Sequence, residues 1–269
     1  MTIPDLEKIS AEVIVLAKKT GIFLLKEQKN LKSDGIEEKS AGNYVTYVDK
    51  EAERRLVGGL KNIFPSAGFI AEEGTAGMNG ESYSWVIDPI DGTSNFIHGL
   101  NPYCISIALV KGHDILSGLI YEPALDECFY AWKGGKACLN GKEITVNRNV
   151  SFDRAMIAYD MPHHENRRSD FLMSVLDKLF ERGSCRQLGS AAIAMAYVAC
   201  GRLDGYFHCK LSPWDMAAGG LIIRQAGGVV SDFSGNPDFL FGNSVIAASP
   251  EVYESLKSIV DKYTAEFNV

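Results

Sequence analysis

The sequence predicts a layered α/β protein, with an antiparallel sheet in its N-terminal half and a mixed sheet in its C-terminal half. Helical patterns precede residue 64, apolar runs joined by hairpin turns fill residues 104–146, and strand and helix patterns alternate after residue 155. Hairpins indicate antiparallel pairing, and the later alternation indicates a layered sheet. The 269 residues suffice for one large domain or two joined halves, and we predict halves of 1–150 and 151–269.

Composition narrows the function classes. The net charge of -7 gives no basic surface, so we expect no general nucleic-acid binding. The N-terminus lacks the apolar core of a signal peptide, and no apolar run approaches the roughly 20 residues needed to cross a bilayer, so we expect no membrane partner. The six cysteines form no C-x-x-C pair and are predicted to be reduced thiols of a cytoplasmic protein.

The N-terminal elements begin with a helix near Leu6, predicted from apolar residues three or four positions apart. The polar residues 31–42 predict a mobile loop. Residues 44–48 predict a short strand, and Asp49 then lies where the N-cap of a second helix is expected. Pro65 is predicted to end that helix. Capping is the simplest role for Asp49, and a chemical role stays open.

Two stretches place carboxylates directly after buried strands. Residues 68–71 predict a strand that leads into Glu72 and Glu73, and the apolar run 85–87 predicts another that ends on Asp88. Neighbouring strands that end in carboxylates can bring them to one point, where oxygen ligands suit a hard cation such as Mg²⁺. Solvated turn residues are the alternative for both stretches.

The residues after Asp88 predict an anion site. Pro89 has no N–H to donate and is predicted to end the strand, and Asp91 follows it. Residues 92–94, Gly-Thr-Ser, offer backbone N–H groups at a helix start, which attract an anion. The whole stretch therefore suits divalent cations beside a phosphate.

The next residues predict a meander of strands. Apolar runs at 104–110 and 115–121 flank a hairpin signal, and residues 127–132 continue the sheet. Asn140-Gly141 is typical of a type I′ turn. We expect the preceding helices to pack on one face of this sheet.

The C-terminal half contains a second helix start with acidic character. Ser212 is a good N-cap, Pro213 suits the first helical position, and Asp215 falls at the third. A well-made helix start explains these residues. The other interpretation is that the helix dipole keeps Asp215 ionised and available to a cation. Small residues at 217–220 let another backbone approach this helix closely.

Together these stretches are similar to a known family. Asp-Pro-Ile-Asp-Gly-Thr at residues 88–93 and Trp-Asp-Met-Ala-Ala-Gly at 214–219 resemble the signatures of the inositol monophosphatase family. Glu-Glu-Gly at 72–74, Val-Thr-x-x-Asp at 45–49 and Gln-Ala-Gly-Gly at 225–228 match as well. The resemblance covers roughly residues 5 to 260 and is to a group of Mg²⁺-dependent, lithium-sensitive phosphatases.

The resemblance implies a layered α-β-α-β-α sandwich, the sugar phosphatase fold, and usually a homodimer. It implies two or three Mg²⁺ ions in each active site. Their implied ligands are the side chains of Glu72, Asp88, Asp91 and Asp215 and the backbone carbonyl of Ile90. Four carboxylates can lie together only if cations offset their repulsion.

The resemblance also implies catalytic and phosphate-binding roles. Thr93 with Asp49 would help activate the attacking water, and Glu73 would support the site. The Gly92 and Thr93 amides would hold phosphate oxygens, and Lys39 would be the phosphate-side lysine. The expected reaction is direct attack of water on phosphorus, with no phosphoenzyme.

Other residues would contact the alcohol part of the substrate, the part that the ester bond joins to phosphate. Gly189, Ser190 and Ala191 resemble a family segment that contacts inositol, and the resemblance implies that Asp91 contacts it too. His208 stands where inositol-specific members carry a glutamate, seven residues before Asp215. An imidazole cannot replace a carboxylate as an acceptor of several hydroxyl bonds. We therefore expect a substrate range that is broader than, or shifted from, inositol monophosphate. The expected substrate class is inositol monophosphate or a related sugar or polyol phosphate. Fructose 1,6-bisphosphate, histidinol phosphate, adenosine 3′,5′-bisphosphate and NADP are alternatives, as is a regulatory binding protein of the same fold.

Overall fold

A computed structural model describes residues 5–31, 36–40, 43–75, 82–161 and 166–267. Its helices are α1 Leu6–Asn30, α2 Tyr47–Ile63, α3 Thr93–His98, α4 Asn166–Phe180, α5 Ala191–Ala199, α6 Pro213–Gln225 and α7 Pro250–Phe267. Its strands are β1 Ile36–Ser40, β2 Asn43–Thr46, β3 Gly68–Ala71, β4 Ser84–Asp91, β5 Cys104–Lys111, β6 Asp114–Glu122, β7 Glu127–Trp132, β8 Cys138–Leu139, β9 Lys142–Glu143, β10 Met156–Tyr159, β11 Ser184–Gln187, β12 Gly205–His208, β13 Val229–Ser231 and β14 Val245–Ala248.

Two large sheets organise the chain. The first has the order β3-β4-β5-β6-β7-β8-β9; β3 and β4 are parallel, and every other neighbouring pair is antiparallel. Asn140 and Gly141 both have positive φ in the turn between β8 and β9, as the type I′ prediction requires. The second sheet has the order β11-β10-β12-β14-β13 and is mixed, because β14 runs antiparallel to both of its neighbours. The predicted antiparallel and mixed sheets are confirmed, with one parallel pair at the edge of the first.

The elements stack in five layers. Helices α1 and α2 cover the outer face of the first sheet, α5 and α6 lie between the sheets, and α4 and α7 cover the second sheet. Three apolar cores fill the spaces between layers, around Leu56 outside the first sheet, Met216 between the sheets and Phe171 outside the second. The α-β-α-β-α sandwich implied by the family resemblance is therefore confirmed.

Helix α6 approaches the first sheet very closely. A Cβ atom at Gly118 in β6 would lie 2.8 Å from the Ala218 carbonyl oxygen, so only glycine fits there. This contact agrees with the close approach predicted for the small residues of α6. The strands of the first sheet end before residue 150 and those of the second begin after it. The division into halves at 1–150 and 151–269 stays a prediction, since α6 belongs to the second half and packs on the sheet of the first.

The region before α2 differs from the prediction. Part of the predicted loop at 31–42 forms strand β1, which pairs with β2 as a hairpin. Helix α2 begins at Tyr47 with Thr46 as its N-cap, so the expectation of Asp49 as N-cap is wrong. Asp49 is the third helical residue and accepts a bond from the Thr46 amide, which completes a capping box.

Strand β4 continues through Pro89, where the sequence predicted its end. Asp88 pairs with Ser106 and Asp91 pairs with Cys104, so β4 advances three positions while β5 advances two. Such a bulge has an extra residue that the ladder does not use, and proline is tolerated there. The bulge keeps both aspartates on one continuous strand end.

The described helices include no segment with the length and apolar character needed to cross a membrane.

Candidate metal centre and active site

Strands β3 and β4 bring the first carboxylates together. They are parallel neighbours with Ala71 opposite Ile87, and the Glu72 amide donates to the Ile87 carbonyl at 3.2 Å. Glu72 therefore leaves its strand beside Asp88. The charge of the Glu72 carboxylate raises the pKa of Asp88, in agreement with a short separation between the two carboxyl groups. The predicted convergence of two strand ends is present.

Three aspartates form a compact group, which we call the carboxylate cluster: Asp88, Asp91 and Asp215. One oxygen from each lies within 4.8 Å of the other two. Asp88 and Asp91 are buried on β4, and Asp215 is half-buried in the first turn of α6. Glu72 adjoins Asp88 but is not a member of this group. The first sheet and helix α6, from the layer between the sheets, thus contribute ligands to one site.

The electrostatics of the cluster call for a cation. Burial raises the pKa of Asp88 well above its usual value, and the charges of Glu72 and Asp91 raise it further. Burial and then the Asp91 charge raise the pKa of Asp215. No ion pair between residues that the structure describes involves the cluster. Buried carboxylates without a cationic partner are costly, and their oxygens suit a hard divalent metal.

Asp91 is held by the N-terminus of α5. Its Oδ2 accepts the Ser190 hydroxyl at 2.5 Å and the Ala192 amide at 2.8 Å, and its Oδ1 accepts the Ala191 amide at 3.3 Å. Burial raises the pKa of Asp91, and these bonds oppose that rise. These hydrogen bonds fix the Asp91 carboxylate, and their donors come from the C-terminal half of the chain.

Thr93 and Asp49 also meet beside the cluster. The Thr93 hydroxyl lies 3.2 Å from Asp49 Oδ1 and 3.0 Å from the Ile90 carbonyl oxygen, and it has one proton to donate. The Ile90 amide donates to Asp88 Oδ1 at 2.9 Å. Burial raises the pKa of Asp49 to about 6, against the lowering effect of hydrogen bonds from Thr46. Asp49 is therefore an acceptor that is mainly ionised at neutral pH.

A residue not singled out from the sequence, Glu53, supports the loop after β3. Its side chain is fully buried and accepts the Glu73 amide and the Thr75 amide, each at 2.7 Å. The Thr75 hydroxyl donates to it at 2.6 Å. Glu53 lies one helical turn after Asp49 on the same buried face, which was a signal available in the sequence. It holds the backbone that carries Glu72 and Glu73.

Three parallel strands of the second sheet also end near the carboxylate cluster. Gly189 follows β11, His208 ends β12, and Asp160 follows β10; we call these three the strand-end group. The Gly189 amide donates to Asp160 Oδ1 at 2.7 Å. The Lys210 amide donates to His208 Nδ1 at 3.0 Å, so a neutral His208 ring carries its proton on Nε2. Asp160 was missed from the sequence, although it follows a predicted strand as Asp88 does.

The strand-end group joins the cluster through short contacts. Gly92 has a φ of 93°, and a Cβ there would lie 3.1 Å from the Gly189 carbonyl oxygen. Asn95 of α3 donates to the Leu188 carbonyl at 2.8 Å. The predicted residues Gly92, Ser190 and Ala191 therefore lie against the carboxylate cluster. Lys39 belongs to β1, and its side chain lies outside the described residues.

Comparison with known proteins agrees with this geometry. The inositol monophosphatase family model matches residues 5–265. An inositol-1-monophosphatase of Mesorhizobium japonicum is 37% identical over 93% of this chain and 95% of its own length. The Nus factor SuhB of Vibrio cholerae is 38% identical over 87% of this chain and 88% of its own.

Solved structures show the same fold. The IMPase structure from Thermotoga maritima superposes with a TM-score of 0.86 at 34% identity, over 94% of this chain and 97% of that one. Both sequence signatures lie inside the matched residues, and the carboxylates of both contribute to one cluster. The chain therefore belongs to the inositol monophosphatase family.

Proposed function

We propose that this protein is a Mg²⁺-dependent phosphomonoesterase that hydrolyses inositol monophosphate or a related sugar or polyol phosphate. The observation that carries the proposal is the carboxylate cluster, whose oxygens lie within 4.8 Å of one another beside Thr93 and Asp49. A cation site next to a hydroxyl–carboxylate pair suits hydrolysis of a phosphate ester by water. Family membership supports the same reaction class.

The cluster, Glu72 and the Ile90 carbonyl would hold two or three Mg²⁺ ions. All five offer oxygen atoms, which Mg²⁺ prefers, and the acidic groups are crowded enough to raise one another's pKa. When bound, the ions offset this charge, polarise the phosphate and lower the pKa of water. The Ser190 hydroxyl and the amides of α5 orient Asp91 for this role. The Ser212 amide orients Asp215 from 2.7 Å.

Thr93 and Asp49 would guide the attacking water. The water donates a hydrogen bond to Thr93 Oγ1, and the Thr93 hydroxyl donates in turn to Asp49 Oδ1. With a pKa of about 6, Asp49 is ionised at neutral pH and is basic enough to accept a proton. Glu73 would support this arrangement through the loop that Glu53 holds. Water attacks phosphorus directly, and no phosphoenzyme forms.

The phosphate would lie at the first turn of α3. The Gly92 and Thr93 amides are positioned at this turn, and Lys39 would add a positive charge from β1. The alcohol part of the substrate would lie toward Gly189, Ser190, Ala191 and His208. A hydroxyl-rich alcohol fits the many polar atoms of this side.

We further propose a homodimer that is sensitive to lithium and works in the cytoplasm without nucleic acid or membrane as a ligand. The acidic net charge supports the absence of nucleic acid as a ligand, and the scattered cysteines support the cytoplasm. Family membership supports the dimer and the lithium sensitivity. Fructose 1,6-bisphosphate, histidinol phosphate, adenosine 3′,5′-bisphosphate and NADP stay as alternative substrates.

A regulatory role is the second candidate. It is favoured by one observation, the name Nus factor SuhB of the Vibrio cholerae relative. A protein that only binds has no need for a competent carboxylate cluster beside Thr93 and Asp49. The two roles can also coexist in one chain.

The test is phosphate release from a panel of polyol, sugar and nucleotide phosphates, with Mg²⁺ or with EDTA. Asp91→Asn is compared with Asp114→Asn, a matched change at an exposed residue that pairs with Lys133. We expect Mg²⁺-dependent turnover in the wild type and Asp114→Asn, and its loss in Asp91→Asn. Turnover that persists in EDTA, or in Asp91→Asn, contradicts the proposal. No turnover on any ester by a folded wild type favours the regulatory role.

A further inference from the structure

Asp160 lies at the end of β10, between the ends of two other parallel strands. Tyr159 pairs with Gln187 of β11 on one side and with Phe207 of β12 on the other. The next residue, Asp160, is therefore flanked by Leu188 and by His208. The carboxyl ends of parallel strands in such sheets are where ligands bind.

Hydrogen bonds connect Asp160 to the carboxylate cluster without making it a member. Its Oδ1 accepts the Gly189 amide at 2.7 Å, and the next residue, Ser190, donates to Asp91 at 2.5 Å. The Tyr206 hydroxyl lies 3.4 Å from Asp160 Oδ2. The groups that could hold a metal among the described residues include Asp88, Asp91 and Asp215 but not Asp160. Asp160 therefore lies next to the site and outside its cation ligands.

The surroundings of Asp160 leave capacity for a further hydrogen bond. A carboxylate has about four acceptor positions. The Gly189 amide and the Tyr206 hydroxyl use two of them. The side chain is half-buried, so part of it is accessible. Burial, followed by the charge of Asp91, raises the pKa of Asp160 to about 7, in agreement with a short separation from the cluster.

We propose that Asp160 determines specificity by accepting a hydrogen bond from a free hydroxyl group on the alcohol part of the substrate. The inference rests on the proposed phosphatase function and narrows its substrate class to monophosphates of polyols or sugars. A second phosphate beside Asp160 would be repelled by its carboxylate and by Asp91. An alcohol without hydroxyl groups would leave the acceptor desolvated and unpaired, which is unfavourable.

The test compares Asp160→Asn with Asp153→Asn, a control at an exposed residue that pairs with Arg182. Asparagine retains an oxygen for the Gly189 amide, so the loop before α5 is kept while the charge is removed. Each variant is assayed with inositol 1-phosphate and with p-nitrophenyl phosphate, whose alcohol part has no free hydroxyl. The measured quantity is the ratio of the two kcat/KM values.

We expect Asp160→Asn to lower this ratio by about 10- to 100-fold, the usual effect of a lost hydrogen bond to a charged group, mainly through the KM of inositol 1-phosphate. Asp153→Asn should keep the wild-type ratio. A ratio that stays within threefold in Asp160→Asn, even if both activities fall together, assigns Asp160 to holding the loop and overturns the inference. A wild type active only on p-nitrophenyl phosphate also overturns it but leaves the phosphatase function intact. A wild type inactive on both esters contradicts the phosphatase function itself.

Discussion

The carboxylate cluster and the strand-end group both contain aspartate, yet the surroundings of these carboxylates differ. In the cluster, burial and the charges of neighbouring carboxylates raise the pKa of Asp88 and of Asp215. In the strand-end group, Asp160 is a lone carboxylate that already accepts the Gly189 amide and the Tyr206 hydroxyl. The first arrangement needs an added cation to become stable when ionised, whereas in the second a neutral amide and a hydroxyl partly oppose the rise in pKa that burial causes. Acidity alone therefore does not identify a metal site.

The two regions are therefore expected to respond differently to change. Removing a charge from the cluster should affect every substrate, because the same ions and phosphate are used each time. Removing the Asp160 charge should affect only substrates with a suitable hydroxyl.

Asp215→Asn should lower kcat/KM for every substrate by about 10³-fold or more. Charge stabilisation of a transferring phosphoryl group commonly contributes on this scale, and the variant lacks one cluster charge. Asparagine can still accept the Ser212 amide, so α6 keeps its start. Phosphate release from inositol 1-phosphate and p-nitrophenyl phosphate measures the effect, with Asp114→Asn as control. An unequal loss of kcat/KM on the two esters would contradict the expectation that the cluster serves every substrate in the same way.

Thr93→Val should lower kcat by about 10²-fold and change KM little. Valine has nearly the same shape but cannot donate to Asp49, so the pair that guides water is lost. Thr264→Val on α7 is the control, since its hydroxyl donates only within its helix, to the Val260 carbonyl. Steady-state kinetics with saturating Mg²⁺ separate the two parameters. A rise in KM at constant kcat would assign Thr93 to binding.

Without divalent metal, the free energy of unfolding should fall by a few kcal/mol as pH rises from about 5 to 8. Carboxyl groups with a raised pKa stabilise the folded state at low pH, and this contribution is lost as pH rises through the folded values. Those values are about 6 for Asp49 and about 7 for Asp160, and the cluster is raised as well. Urea titrations in EDTA measure the slope.

The same urea titrations can be repeated with Mg²⁺ and with the Asp215→Asn variant. Mg²⁺ should reduce the loss of stability at pH 8, because it offsets the charge of the cluster. Asp215→Asn should make the metal-free protein more stable than the wild type at pH 8. A wild type whose stability rises with pH in EDTA would show that repulsion in the cluster is already compensated within the protein.

Ser190→Ala should have the smallest effect, because it alters the connection between the two regions and neither carboxylate group itself. Ser190 is the N-cap of α5, and loss of such a cap costs about 1 kcal/mol. The expected decrease in Tm is about 2–4 °C, measured by thermal unfolding. Ser151→Ala, at an exposed position, is the control. An unchanged Tm would indicate that the Ala191 and Ala192 amides suffice to fix Asp91.

The sequence predicted the carboxylates that follow local strand patterns. Glu72 and Asp88 end two adjacent strands, so their meeting could be expected from the pattern. The approach of Asp215 came from the family resemblance, because α6 is far away in the chain. Asp49 was misplaced because residues 44–48 have strong strand propensity, although Thr46 and Asp49 have the spacing of a capping box.

Asp160 could not be assigned a role from the sequence, because its position depends on tertiary contacts. Its neighbours Gly189 and His208 come from separate strands, and only the register of β10 with β11 and β12 brings them together. Glu53 was missed for a different reason. An acidic residue on a buried helix face indicates that it has a hydrogen-bond partner, but the sequence does not show which residue that partner is. Local motifs therefore predict the metal-binding carboxylates better than they predict the residues that would contact the alcohol part of the substrate.

The most direct test of the central claim is a calorimetric titration of Mg²⁺ at pH 7.5 into the wild type, Asp88→Asn and Asp114→Asn. Phosphate release from inositol 1-phosphate is followed over the same Mg²⁺ range. We expect the wild type and Asp114→Asn to bind Mg²⁺ with a midpoint that matches activation, and Asp88→Asn to lose both binding and release. Equal Mg²⁺ binding by Asp88→Asn, or full phosphate release by the wild type without metal, would contradict the account.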